Sequence, residues 1–382
     1  MNYFLIIVFI VAGIYYLFLE ACILFWIKEP EYQAAATPPS TRISIIIAAR
    51  NEEKNIGECL KHLMLQEFPS SLYEIIVVDD DSSDNTAKEV QRFIIDSDKI
   101  RLLQLKGNSS KKKAIEEGIK NSRTDVIITV DADCTMNKYW LGNMVSCYEQ
   151  RKSKMLIGPV VIKTNSSNSL PFGEGWGGAF QSVEYAGLML TAGASAFMKR
   201  PLMCSGTNLL YEKTAFNEVN GFEGIDHKAS GDDVLLMFKM QKKFPRQIHF
   251  IKSKEAIVQT KPVATLNEFI QQRIRWASKT SGSGNWLNIS MALSVFLFNL
   301  ILISWPVISI INPAYFSIGL NLLVAKCLID FLFLFLSGTY FNKRHLLILF
   351  PFFLLFNIIY VPVIAIAGIF IKQYHWKGRL VN

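Results

Sequence analysis

Apolar positions crowd the two ends of the chain and take on regular periods in the middle. Residues 2–27 carry one charge, Glu20, and exceed the ~20 apolar residues that a helix needs to cross a bilayer. No Lys or Arg precedes them, so the pattern predicts a retained anchor and not a cleaved signal peptide. Three further apolar stretches, 287–311, 315–337 and 346–371, predict membrane helices of the same kind. Pro351 and Pro362 lie in the last one and offer a re-entrant hairpin as the alternative to a fourth crossing.

The region between reads differently. ISIIIAAR, residues 43–50, is a continuous apolar run, as expected of a strand buried on both faces. Residues 54–65 then place Ile56, Leu60, Leu63 and Met64 at helical spacing. A second strand, a polar turn and a second helix follow over 74–94, with Asp84 or Asn85 as the cap. Residues 100–105 predict a third strand, 111–121 a third helix, and DVIITV a fourth strand that ends at Asp131. This alternation predicts an α/β domain with a mostly parallel sheet. Beyond it, 155–162 reads as one more strand and 163–178 as a Ser/Asn/Gly loop. Residues 186–200 are small and apolar, a packed helix or the border of an acceptor site. In 265–280, Leu266, Phe269, Ile270, Ile274 and Ala277 share one helical face, while Gln272, Arg275 and Trp276 share another. Such a helix just before a membrane span is expected to lie in the interface. The expected order is therefore an anchor over 1–28, a globular domain over 29–262, an interfacial helix over 263–286, about three membrane segments over 287–371, and a basic tail over 372–382.

Charge adds a direction. The net charge of +8 concentrates in Lys111–Lys113, in Arg151, Lys152 and Lys154, in Lys199 and Arg200, and around Lys239–Arg246. Most of this reads as solvated basic surface; anionic lipid headgroups or phosphorylated substrates are the functional alternative. No segment resembles a nucleic-acid module. The six cysteines show no paired spacing, which predicts reduced thiols and neither a zinc site nor a disulfide framework.

Carboxylates carry the candidate chemistry. Asp79–Asp81 and Asp131/Asp133 both stand at the carboxyl ends of predicted parallel strands, the rim where open α/β sheets bind ligands. Asp232 and Asp233 open a further helix, where they serve its dipole or act as a general base. Hard oxygen ligands of this kind suit Mg²⁺ or Mn²⁺ bridging to phosphate. On the later helix, Arg275 is suited to neutralise a departing diphosphate and Trp276 to stack on a sugar; anchoring at headgroup level is the alternative. Two other readings use similar strings. DADCT fits the aspartyl-phosphate signature of haloacid-dehalogenase-like phosphatases, but three predicted strands precede it where that family has one. GDD marks RNA polymerases on a strand-turn-strand hairpin, but a helical pattern follows Asp233 here.

Together the motifs resemble the membrane-bound family-2 glycosyltransferases, which include cellulose, hyaluronan and poly-N-acetylglucosamine synthases and ceramide glucosyltransferase. The chain supplies, in that family's order, Asp80, Asp131-x-Asp133, Asp232-Asp233 and Gln272-x-x-Arg275-Trp276. AARNEEKNI, with Arg50 and Glu52, looks like the first nucleotide-binding loop, and Lys111-x-x-Ala-x-x-x-Gly118 matches a further motif. Asp81 stands where Gly is usual and Asp232 where Glu is usual. The resemblance covers roughly 42–280 and implies the A-type glycosyltransferase fold. It implies that Glu52 and Asp80 contact the uridine of a UDP-sugar donor, with Arg50 among the substrate-binding residues, and that Asp131 and Asp133 hold Mg²⁺ or Mn²⁺ on the diphosphate. Lys111 and Arg275 would aid the leaving UDP, with Gln272 and Trp276 beside the substrates. Asp233, supported by Asp232, would deprotonate the acceptor in an inverting hexosyl transfer. The acceptor is expected to be a lipid, because four spans offer little room for the polar tunnel a growing glycan needs. A processive polysaccharide synthase is the alternative, with a partner subunit or a dimer supplying further helices. A non-catalytic membrane scaffold would be expected to have lost a carboxylate, and none is missing. Lys343 and Arg344 between the last two apolar stretches place a multi-pass protein in the cell membrane with its catalytic domain in the cytoplasm. Four crossings would then leave Lys372, Lys377 and Arg379 outside, against the same charge bias.

Overall fold

The computed structural model describes residues 2–34, 38–107, 110–163, 175–226, 228, 231–281, 285–371, 374–376 and 379–381. The chain divides into two compact units. One comprises Met1–Lys28, Thr164–Ala194 and Pro262–Tyr374, the other Glu29–Lys163, Ser195–Lys261 and His375–Asn382.

The second unit contains strands β1 Ile43–Ala49, β2 Tyr73–Asp80, β3 Ile100–Leu105, β4 Val126–Thr129, β5 Thr135–Met136, β6 Met155–Ile157, β7 Val160–Ile162, β8 Leu209–Glu212, β9 Ile248–Phe250 and β10 Val258–Thr260. Seven of these form a sheet in the order β3-β2-β1-β4-β8-β6-β9. The β3-β2-β1-β4 half is parallel, β8 runs antiparallel to both neighbours, and β6 and β9 are parallel. The continuous apolar runs are explained by burial on both faces: Ile45, Ile47, Ile75 and Val77 are fully buried. Helix Lys111–Lys120 lies close on β1 and β2 because position 118 has no side chain. A Cβ on Gly118 would stand 2.6 Å from Ile46 Cγ2 and 3.3 Å from Val78 Cγ2. That close packing holds Lys111 at the first turn of the helix, beside the carboxyl ends of the strands.

Residues 155–162 are not one strand. Gly158 and Pro159 break the run, so that β6 joins the large sheet and β7 joins β10 and β5 in a second, three-stranded sheet. The cause is long-range. A Cβ on Gly158 would lie 2.2 Å from Asn208 Nδ2, and that buried amide donates to the carbonyls of Pro159 and Ala256, each at 2.9 Å. A proline also has no N–H to give to a ladder.

The first unit holds four helices long and apolar enough to cross a membrane: Tyr3–Lys28, Trp286–Ile311, Tyr315–Tyr340 and Arg344–Phe370. Pro362 lies inside the continuous helix Phe350–Phe370, and Pro351 lies in its first turn, where no N–H is missed. Helix Trp176–Phe197 is buried on all sides over most of its length, which is the packed-helix outcome for the small apolar stretch. It also begins within the 163–178 segment read as a loop; residues 164–174 lie outside the described residues. Phe180 and Val183 of this helix pack with Phe269, Leu347 and Phe353. In helix Leu266–Ser281 the buried side is narrower than its apolar pattern suggests. Phe269, Arg273 and Ile274 are buried, whereas Leu266 and Ile270 are exposed. The segment after 371, read as a basic tail, contains two short strands, β11 Tyr374–Trp376 and β12 Arg379–Val381, that form a two-stranded sheet. Lys372 and Lys377 lie outside the described residues.

Candidate active site

The carboxyl ends of β1, β2 and β4 carry the candidate residues of the second unit. After β1 the chain turns through Asn51, at φ 52°. Arg50 uses one guanidinium nitrogen to donate to the carbonyls of Asp80 and Asp81, tying the β1 exit to the β2 exit. Its Nε is buried with no partner. Glu52 is buried, donates its backbone N–H to Thr86 Oγ1 at 2.7 Å, and accepts from Asn55 Nδ2 at 2.7 Å. Asp80 is buried at the end of β2. Asp81 takes φ 56°, which accounts for glycine being usual there; the short polar side chain of Asp tolerates it. Asp79 and Asp84 serve the turn, accepting from Ser82 N and from the N–H and hydroxyl of Thr86.

Past β4, Asp131 accepts from Lys111 Nζ at 2.7 Å on one oxygen and from Thr207 Oγ1 at 2.7 Å on the other. Lys111 also stands 3.4 Å from Asp232 Oδ2, so one ammonium group bridges two of the predicted carboxylates. Asp233 caps helix Val234–Lys243: Oδ1 accepts from Val234 N at 2.7 Å, and Oδ2 accepts from Gly206 N at 3.3 Å. The cluster is mostly buried but reaches solvent, with 33% of the Asp131 side chain and 23% of the Lys111 side chain exposed. Asp133 accepts from Thr260 Oγ1 at 3.0 Å.

The electrostatics follow from these contacts. Burial alone would raise the Asp131 carboxyl, but Lys111 and the Thr207 hydroxyl outweigh it and hold the group below its ordinary range. Burial also opposes the Lys111 charge, and Asp131 and Asp232 more than offset that, so the ammonium is held more firmly than usual. Asp133 differs. Burial, and then the negative charge of Asp131, push its carboxyl upward, and the Thr260 bond does not compensate. Asp131 and Asp133, two residues apart at the exit of β4, are hard oxygen donors whose chemistry fits a divalent cation such as Mg²⁺ or Mn²⁺. Among the described residues, no cluster of three or more His, Cys, Asp or Glu forms a self-sufficient metal site. The fit is thus to an ion that takes its other ligands from phosphate and water.

Gln272, Arg275 and Trp276 belong to the first unit, on helix Leu266–Ser281. All three are half-buried, and among the described residues Arg275 makes no ion pair. Sequence reasoning missed Thr207 and Thr260, whose hydroxyls orient the two carboxylates, and Arg273, which is only 3% exposed. Thr207 had a faint signal, a Ser-Gly-Thr-Asn turn at the entry to β8; Thr260 had none.

The mixed, mostly parallel sheet with an acidic rim at the ends of β1, β2 and β4 is the architecture of the A-type glycosyltransferase fold. The chain aligns over 95% of its length with a mannosyltransferase from Pyrobaculum calidifontis solved with GDP-Man and Mn²⁺, covering 98% of that chain at a TM-score of 0.58 and 16% identity, a likeness of fold. More particularly, residues 44–219 match the family described as Glycosyl transferase family 2, and they constitute a family-2 glycosyltransferase domain. Relatives include the poly-beta-1,6-N-acetyl-D-glucosamine synthase of Staphylococcus epidermidis, 26% identical over 281 residues, which is 72% of this chain and 62% of that protein. The beta-monoglucosyldiacylglycerol synthase of Trichormus variabilis is 26% identical over 129 residues, 33% of this chain and 27% of that protein. The human dolichyl-phosphate beta-glucosyltransferase is 37% identical over 103 residues, 25% of this chain and 32% of that protein. The chain thus matches less than two thirds of the length of each of these relatives.

Proposed function

We propose that the protein moves one sugar of the glucose or N-acetylglucosamine class from a UDP-sugar to a lipid acceptor at the cytoplasmic face of the cell membrane, inverting the anomeric centre. The observation that carries this reading is the constellation of Lys111, Asp131, Asp232 and Asp233 on one rim of a family-2 domain. The four candidate spans support the membrane setting.

In this mechanism Glu52 and Asp80 contact the uridine of the donor, with Arg50 among the substrate-binding residues, and Asp131 and Asp133 hold Mg²⁺ or Mn²⁺. When bound, the ion offsets the negative charge on the leaving diphosphate. Lys111, already shared between Asp131 and Asp232, adds a second positive charge on that side. The acceptor oxygen forms its bond to the anomeric carbon as the carbon–phosphate-oxygen bond breaks; the electron pair leaves with UDP, and the proton passes to Asp233. The two amides that hold the Asp233 carboxylate orient it for that transfer. Gln272, Arg275 and Trp276 act on the departing diphosphate and the sugar.

A processive polysaccharide synthase is the second reading, favoured by the 281-residue match to the staphylococcal synthase. The lipid acceptor is preferred because the four spans offer little polar lining for a growing glycan, whose hydroxyls are costly to bury in hydrocarbon. Membranes incubated with a panel of radiolabelled UDP-sugars test the choice. A single-sugar product extractable into organic solvent is expected, together with loss of labelling on chelation of divalent ions. Label in a long water-soluble polymer made by the purified chain alone would transfer the assignment to the synthase reading.

A further inference from the structure

Arg273 lies between Gln272 and Arg275 in sequence, but it is nearly fully buried at 3% exposure, while its two motif neighbours are half-buried. We propose that Arg273 is a positioning residue that fixes Gln272 and Trp276 in their working conformations, anchored by Glu184 and Tyr360. The inference rests on the reading that Gln272 and Trp276 take part in transfer.

The guanidinium touches both of those residues. One terminal nitrogen donates to Gln272 Oε1. The guanidinium carbon stands 4.2 Å from the ring centroid of Trp276 and 4.3 Å from that of Phe269. Positions 269, 273 and 276 follow at i, i+4 and i+7, so the cation contacts rings one turn before and one turn after it along the helix. A desolvated cation over an aromatic face restrains the ring as well as the charge. Tyr185 closes on Trp276 as well, with ring centroids 5.9 Å apart.

What holds Arg273 comes from elsewhere in the same unit. Its Nε donates to Glu184 Oε2 at 3.1 Å, and a terminal nitrogen donates to the same oxygen. The other oxygen of Glu184 accepts from Tyr360 Oη at 3.1 Å. Helix Leu266–Ser281 is thereby tied to Trp176–Phe197 through an ion pair and to Phe350–Phe370 through a shared carboxylate. Lysine would keep the charge but lose both the planar fork and the stack, so Arg273→Lys is an informative change and not a silent one. Breaking one member of a buried ion pair leaves an uncompensated charge, so the anchor cannot be removed without effect on what it holds.

The test uses the purified full chain in detergent with Arg273→Lys, Glu184→Gln and Tyr360→Phe. Hydroxyl-radical labelling mapped to individual tryptophans needs no activity. Labelling of Trp276 is expected to rise about threefold in Arg273→Lys and Glu184→Gln and less in Tyr360→Phe, with Trp305 on another helix unchanged as the reference. In transfer assays Arg273→Lys is expected to lose about tenfold or more in kcat with the donor KM little changed, since a misplaced group costs rate before it costs binding. In the double variant Arg273→Lys/Trp276→Phe the losses should be less than additive, because part of the arginine's effect passes through the ring. Unchanged Trp276 labelling in all three variants, or additive losses in the double variant, would overturn the proposal. Absence of any transfer by the wild-type chain would instead remove the proposed function and leave the labelling arm to judge the clamp. Tyr360→Phe removes one hydrogen bond and strands no charge, so that variant is expected to remain folded for that arm.

Discussion

Asp233 receives one backbone N–H on each oxygen, from Val234 and from Gly206. That geometry serves the helix terminus and aims the carboxylate at the same time, so the two roles foreseen for it are compatible. Asp233→Asn keeps the shape and an acceptor oxygen but cannot take a proton. Transfer is expected to fall by about 10²-fold or more while UDP binding stays near normal; a variant that keeps over half its activity with its usual acceptor would remove Asp233 from the role of base. Asp133→Ala is expected to weaken Mn²⁺ and UDP-sugar binding together, which parallel titrations of metal and nucleotide would detect; an unchanged metal requirement would move the ion elsewhere. A third residue responds to pH through stability. His249 on β9 accepts or donates one bond to Ser153 Oγ at 2.8 Å, and burial, then the charges of Lys199 and Arg151, depress its pKa to about 4. Between that value and the ordinary one near 6.5 the unfolded chain binds a proton that the folded chain refuses. Stability from this residue is therefore complete above about 6.5 and is lost as pH falls towards 4. His249→Asn should lose less of its Tm than wild type over that window; parallel Tm–pH curves would show that the histidine is not the cause.

Among the elements, what repeats locally was legible and what depends on a distant partner was not. The runs of β1 and β2 and the spacing of helix Lys111–Lys120 announce themselves because burial on two faces, or on one stripe, needs only neighbouring residues. The same holds for the carboxylates at strand ends, which follow from strand order. The break between β6 and β7 could not be read, since it is set by the Asn208 amide about fifty residues away in sequence, bonded at 2.9 Å to Pro159. Nor could the buried side of helix Leu266–Ser281, where the apolar pattern pointed to Leu266 and Ile270, and a buried ion pair with Glu184 turned Arg273 inward instead. Patterning sees apolar residues; it does not see that a charged one can be buried when its partner lies on another helix. The β6–β7 junction gives a prediction. Gly158→Ala forces a Cβ into the buried Asn208 side chain, an overpacking expected to cost about 1–3 kcal/mol. Thermal unfolding measures it, and Asn208→Ala in the same chain should relieve the clash while losing the bonds to Pro159 and Ala256. A Gly158→Ala chain as stable as wild type would show that the junction is not held by that contact.

At the scale of the whole chain, the first unit is assembled from segments at opposite ends of the sequence, and one polar cluster ties them. Lys326 and Asp330, four residues apart on helix Tyr315–Tyr340, pair at 2.8 Å, as their spacing suggested. The spacing did not reveal Tyr15 of the N-terminal helix, whose hydroxyl accepts from Lys326 at 2.7 Å and donates to Asp330 at 2.5 Å. Phe298 of helix Trp286–Ile311 packs on the Tyr15 ring, with centroids 4.9 Å apart, so three candidate spans meet at one buried ammonium that is 1% exposed. Charges at such depth are tolerated only when paired. If the cluster is a tie between helices, its members depend on one another. Lys326→Met alone strands the Asp330 carboxylate in an apolar setting and should destabilise by about 3–5 kcal/mol, whereas Lys326→Met/Asp330→Leu removes both charges and should recover most of that loss. Tyr15→Phe removes two bonds without stranding a charge and should fall between wild type and Lys326→Met. Tm of the purified chain, read beside transfer activity, separates this from a role in chemistry. A tie predicts that the double variant regains stability and activity together. A double variant that is stable yet inactive would mean that the buried lysine does something for the reaction beyond holding the N-terminal helix to the rest of its unit.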